Sequence, residues 1–164
     1  MESKTQTRIS KDLKNRKLTI NREFDAPLNL VWKAWTESEL LDQWWAPKPW
    51  VNKTKSLKFK DGGQWLYGMT GPDGAAIWCI GEFSAINPEK SFQATSSFCD
   101  EKGNINADSP TMYWKTNFQA MGSETLVVVE ISFTKEADME KIIAMGFEAG
   151  FTAALGNLDD LLAK

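Results

Sequence analysis

The stretch 137–163 reads ADMEKIIAMGFEAGFTAALGNLDDLLA, and its apolar residues fall at helical steps. Met139, Ile143, Gly146, Phe147, Gly150, Phe151, Ala154, Leu158 and Leu161 recur three and four apart, which predicts one long amphipathic helix. At 1.5 Å per residue it would run ~40 Å, enough to cross a whole sheet. Within it Gly146, Gly150 and Ala154 form a row of small residues, flanked by Phe147 and Phe151. A glycine costs roughly 1 kcal/mol in a helix interior, so two of them need a reason. Either a sheet presses close against the helix there, or the missing side chains leave room for a ligand beneath it.

The segments before this helix read as strands. Strands are predicted at about 57–60, 64–69, 75–85, 90–99, 111–120 and 125–134. Their connections are Asp61-Gly-Gly, Gly71-Pro-Asp-Gly74, Asn87-Pro-Glu, a long loop at 100–110 and Met121-Gly-Ser-Glu. Further upstream, Leu18, Ile20 and Phe24 alternate with Thr19, Asn21 and Glu23 in a first strand at 17–24. Asp25-Ala-Pro27 then opens a short helix, with Asp25 as its cap. Thr36-Glu-Ser-Glu39 reads as a capping box for a second short helix through Trp44-Trp45, which Pro47 and Pro49 end. The order is one strand, two short helices, six antiparallel strands and a long helix. That is α+β, with helices on one face of a curved sheet of six to seven strands.

Composition bounds the chemistry. The 164 residues include no histidine, which removes Ser-His-Asp and Cys-His relays and His-ligated metals. Two cysteines are too few for a thiolate-only metal site or a disulfide framework, and point to a reducing cytosol. No phosphate-cradling glycine motif occurs, and no apolar run is long enough to span a bilayer or act as a secretory signal. Eight tryptophans point instead to a protein that buries something apolar. Residues 1–17 carry six basic and two acidic side chains, leaving −7 on the remainder of a chain of net charge −3. An acidic body repels a phosphate backbone, and the basic segment holds no aromatic ring for stacking, so nucleic acid is not an expected partner. Residues 1–16 are expected to be a basic, flexible tail, and 17–164 a single domain.

Specific residues sharpen the fold. Phe24-Asp-Ala-Pro27 with Val31-Trp32, Thr36…Glu39-Leu…Trp44-Trp45, Asp61-Gly-Gly63, Pro72-Asp-Gly74, Gly81-Glu-Phe83, Asn87-Pro88 and the glycine-bearing final helix with Leu155, Leu158 and Leu162 occur in order. Over about 18–163 this pattern resembles the helix-grip (START-like, SRPBCC) superfamily, in the branch related to activators of the heat-shock 90-kDa chaperone's ATPase. The resemblance implies a hydrophobic cavity between sheet and C-terminal helix, and it fixes no ligand.

Turn geometry then assigns faces. A two-residue loop at Pro72-Asp73 would set Tyr67 opposite Trp78 and Trp65 opposite Ile80, putting these rings outside and Leu66 inside. Inward residues are then Ile77, Cys79, Gly81, Phe83, Phe92, Ala94, Ser96 and Phe98. In the last hairpin Met112, Trp114, Thr116 and Phe118 face Val127, Val129, Ile131 and Phe133 on the same side. The expected ligand-binding set is Leu66, Ile77, Cys79, Phe83, Phe92, Ser96, Phe98, Trp114, Thr116, Phe118, Val129, Ile143, Gly146, Phe147, Gly150 and Phe151. Thr116, Ser96 and Thr152 are candidate hydrogen-bond partners. Trp44-Trp45 either gates the cavity mouth or caps the core. Outward Trp65, Tyr67 and Trp78 would form an apolar patch for a homodimer or partner.

The expected function is binding of a small apolar or amphiphilic molecule, with no catalytic residue, metal or cofactor and no stable membrane insertion. The alternative is a protein–protein module, an activator-like chaperone partner in a stress response. An enzyme of the cyclase or hydrolase kind would have to work without histidine.

Overall fold

The computed structural model describes residues 7–164. Its elements are β1 (Arg8–Asp12), β2 (Lys17–Phe24), α1 (Leu28–Thr36), α2 (Ser38–Trp44), β3 (Val51–Leu57), β4 (Gln64–Thr70), β5 (Ala76–Asn87), β6 (Ser91–Cys99), β7 (Met112–Met121), β8 (Glu124–Phe133), α3 (Glu136–Ala144) and α4 (Phe147–Leu162). One antiparallel sheet of eight strands runs β1-β2-β8-β7-β6-β5-β4-β3, and the helices pack on its concave face. The α+β helix-grip architecture stands.

Three details differ from the expectation. An eighth strand, β1, pairs with β2 through Ile9↔Ile20, so the charged segment from Arg8 onward is an edge hairpin; residues 1–6 of the expected tail lie outside the described residues. Edge strands rich in Lys and Arg resist further pairing, which is why this one read as a solvated tail. The strand expected at 57–60 lies earlier, at Val51–Leu57, and forms the opposite edge of the sheet. Finally, the long helix is two: α3 ends at Ala144, and Gly146 turns the chain at φ 88° into α4. That left-handed conformation is the reason for glycine at 146, and it is not a helix-interior position.

The caps also differ. Pro27 precedes α1 and Glu37 precedes α2, and neither helix has a side-chain cap. Thr36 ends α1 and donates its hydroxyl back to the Trp32 carbonyl at 2.9 Å, so the capping box does not form.

The core concentrates where α4 meets β2, β7 and β8. Leu18, Ile20, Val127, Val129, Ile131, Leu155 and Leu158 are buried to within 2% of complete, each stabilising the fold by roughly 1.5–3 kcal/mol. Above them the Arg22 guanidinium, 5% exposed, donates to the Asp159 carboxylate through both terminal nitrogens, one at 2.8 Å. It also donates to Thr7 Oγ1 and the Glu23 carbonyl, and stacks 5.0 Å over Phe24. A buried cation held on this many acceptors fastens the C-terminal end of α4 to the sheet. Asn157 does the same for α2, donating to the Ala46 carbonyl at 2.9 Å.

Candidate functional site

At its other end α4 stands away from the sheet. Between them lies a cavity of about 380 Å³. Tyr67 and Met69 of β4, Ile77 and Cys79 of β5, Ser96 and Phe98 of β6, and Met112 and Trp114 of β7 form its sheet side. Phe147, Gly150 and Phe151 of α4, with Met145 and Gly146 of the elbow, form its roof. Trp45, Pro47 and Trp50 close one flank. A second hollow of about 40 Å³ continues inward beneath Trp35, Phe83, Phe92 and Thr116.

The glycine at 150 now has its reason. A Cβ there would meet only Pro47 Cγ, at 3.8 Å, among the described residues, so no sheet presses on it. At Gly81 the opposite holds: a Cβ would lie 2.2 Å from the Thr95 carbonyl oxygen. The backbones of β5 and β6 come this close because the ladder breaks there, and the Glu82 N–H donates to the Thr95 hydroxyl at 3.1 Å. The pairing resumes in the same register at Phe83↔Ala94 and shifts only between Ser84 and Asn87.

Of the expected site residues, nine meet in the larger cavity: Ile77, Cys79, Ser96, Phe98 and Trp114 from the sheet, and Gly146, Phe147, Gly150 and Phe151 from the roof. Phe83, Phe92 and Thr116 line the smaller hollow. Phe118 and Val129 belong to the packed core, Phe118 with its ring 5.0 Å from Trp32. Ile143 packs against the core from α3 and lines neither hollow. Thr152 is exposed.

Leu66 is a correction. It is buried on the convex face, where Gly103 of the 100–110 loop lies over Leu66 and Ile80. Trp65 and Tyr67 are correspondingly inside, 7% and 5% exposed, with ring centroids 3.9 Å apart. The cause is the turn. The last pair is Thr70↔Ala76, so the loop holds five residues, with Gly74 at φ 87°, and Tyr67 opposes Cys79. An odd loop reverses the faces that an even one assigns. The outward aromatic patch therefore does not exist. Trp78 alone of the three stays on the convex face, lying across Gly68 with the Lys55 ammonium 5.9 Å from its ring.

Trp45 lines both hollows and meets Trp35, Trp44, Trp65, Tyr67, Trp114 and Phe151 with centroids 5.2–6.5 Å apart, within the range in which aromatic rings attract. Met69 and Met145 are lining residues that sequence reasoning missed, and Met112, read as inward, joins them; their flexible thioethers suit a wall that adapts to its contents.

The polar groups of the wall are neutral. Burial, with the Cys79 thiol beside it, holds the Tyr67 phenol well above its ordinary range, and the Trp45 indole and Ser96 hydroxyl adjoin it. Burial pushes the Cys79 thiol up to about 12. Both cysteines are free, Cys79 on the concave face and Cys99 on the convex. Among the described residues there is no group of three or more Cys, Asp or Glu that could hold a metal, and no helix long and apolar enough to cross a membrane.

A concave sheet gripping a C-terminal helix over an apolar hollow defines the helix-grip, START-like class. Within it, residues 25–163 match the family described as activator of Hsp90 ATPase homolog 1-like protein, and the chain belongs to that family. Among solved structures, a protein from Arthrobacter aurescens is similar at 28% identity and a TM-score of 0.90, over 95% of this chain and 91% of that one. A Mycobacterium smegmatis protein is 28% identical with a TM-score of 0.88, over 95% and 96%. The AHSA1 protein from Silicibacter pomeroyi shares the fold at 18% identity and a TM-score of 0.71, over 90% and 97%. No curated protein matches.

Proposed function

We propose that this chain binds one small apolar or amphiphilic molecule between β4–β7 and α4, and acts by binding rather than by catalysis. The observation that carries this is the 380 Å³ cavity under Gly150, a size at which pockets for small molecules begin. The lining supports a holder more than an enzyme, because it offers apolar surface and neutral hydrogen-bonding groups only. Free, buried thiols fit a reducing cytosol. The test is a titration with the neutral probe N-phenyl-1-naphthylamine, read by quenching of Trp45 and Trp114. Saturation at one probe per chain is expected. Uptake that never saturates, or none, overturns the reading.

Family membership favours a second reading, stimulation of a chaperone's ATPase through a protein–protein contact. Adding the purified chain to a heat-shock 90-kDa chaperone and measuring ATP turnover decides it; a rate unchanged at saturating chain rejects it.

A further inference from the structure

Four side chains line both hollows and form the wall between them: Trp45, Tyr67, Ser96 and Trp114. Their polar atoms are two hydroxyls and two indole N–H groups. The Trp114 N–H is buried and has no acceptor among the described residues, in a ring only 8% exposed. A buried donor without a partner is costly, and an acceptor carried in by a ligand relieves that cost once the Trp114 ring turns its N–H toward the hollow. No Asp, Glu, Lys or Arg lines either hollow among the described residues. An anion placed there loses its hydration and meets no cation.

Building on the binding reading above, we infer that the ligand is a neutral amphiphile: an apolar body under α4 and one hydroxyl or carbonyl head set against Tyr67, Ser96 and Trp114. An anion of the same shape is rejected. The suppressed ionisation of Tyr67 and Cys79 reports the same property of the wall, since burial there disfavours any negative charge.

Three ligands of one ring system isolate the head group: naphthalene, 2-acetylnaphthalene and 2-naphthoate at pH 7.5, titrated by tryptophan quenching. Burial of the rings is common to all three and cancels in the comparison. The ketone is expected to bind up to about tenfold tighter than naphthalene, the range of one net hydrogen bond, and the carboxylate more than about tenfold weaker. Trp114→Phe keeps a ring in the wall and removes the donor; it is expected to bring the ketone-to-naphthalene affinity ratio toward one, whatever it does to the affinity of naphthalene itself. Tyr67→Phe tests the hydroxyl in the same way. Equal binding of ketone and naphthalene, or a carboxylate as tight as the ketone, overturns the inference while N-phenyl-1-naphthylamine still saturates. Failure of that amine and of all three naphthalenes removes the cavity reading and the inference together.

Discussion

The two ends of α4 meet the sheet on different terms. Around Leu155, Leu158 and Asp159 the contact is dense and fastened, with leucines excluded from solvent and a buried arginine holding the helix. Around Gly146 and Gly150 there is a hollow, and the helix side contributes two glycines and two aromatic rings. One helix thus carries both the stability of the domain and the roof of its site, and the two tasks are separated along its length. A site needs unfilled volume, which costs packing energy, so it sits where the rest of the helix can hold the fold without it.

This contrast can be broken by mutation. At the packed end, Leu158→Ala removes a fully buried side chain and is expected to cost about 3–4 kcal/mol, lowering the melting temperature by about 10 °C, while probe stoichiometry stays at one. A loss below about 1 kcal/mol would mean that this end is not packed as described. Asp159→Ala comes next. It leaves Arg22 buried without its main partner and is expected to cost about 2 kcal/mol in denaturant unfolding, less than a fully buried pair because Asp159 is partly exposed.

At the open end, pH sharpens the comparison. The Cys79 thiol ionises near 12 in the fold and near 9 as a free thiol, so above pH 9 the unfolded chain binds fewer protons than the folded one. Stability therefore falls as pH rises from 9, by about 1.4 kcal/mol per unit, and this group contributes no slope below 9. Melting curves from pH 7 to 10 should show this decline. Cys79→Ala should reduce it, leaving the remainder to Cys99 and Tyr67, whose ionisation burial also opposes. The smallest effect is the most diagnostic. Gly150→Leu gains up to about 1 kcal/mol of helix propensity and meets only Pro47, so the unliganded protein should melt no lower than the parent. Binding of N-phenyl-1-naphthylamine should weaken more than about tenfold. A clear fall in melting temperature would place the sheet against the helix after all.

How much of this was legible depended on local geometry. The inward face of the β7–β8 hairpin could be read, with each end within one residue, because Met121↔Glu124 closes a two-residue turn and both strands alternate cleanly. The β4–β5 hairpin could not. Its Trp65-Leu66-Tyr67 run is apolar on both faces, since the 100–110 loop covers the convex side, so alternation carried no sign and a five-residue turn in place of a two-residue one reversed it. The break at Gly146 was hidden because the apolar spacing of α3 continues into α4 with little change of phase. Gly150 and its flanking Phe147 and Phe151 were named because a glycine inside a helix needs a reason, but the glycine alone left close packing and a hollow equally open, and the family resemblance chose between them. Its flank was missed: Pro47 and Trp50 lie in an irregular segment with no periodicity to read.

The close approach at Gly81 bears on which parts of the hollow are free to vary. At Gly81 the Thr95 carbonyl excludes any side chain, and beside it the Thr95 hydroxyl accepts the Glu82 N–H in place of a ladder bond. The hollow is thus bounded there by main-chain geometry, while its wall is upholstered with methionines and rings. Exchanging those side chains changes the shape and chemistry of the hollow without closing it, so the lining is open to substitution and Gly81 is not.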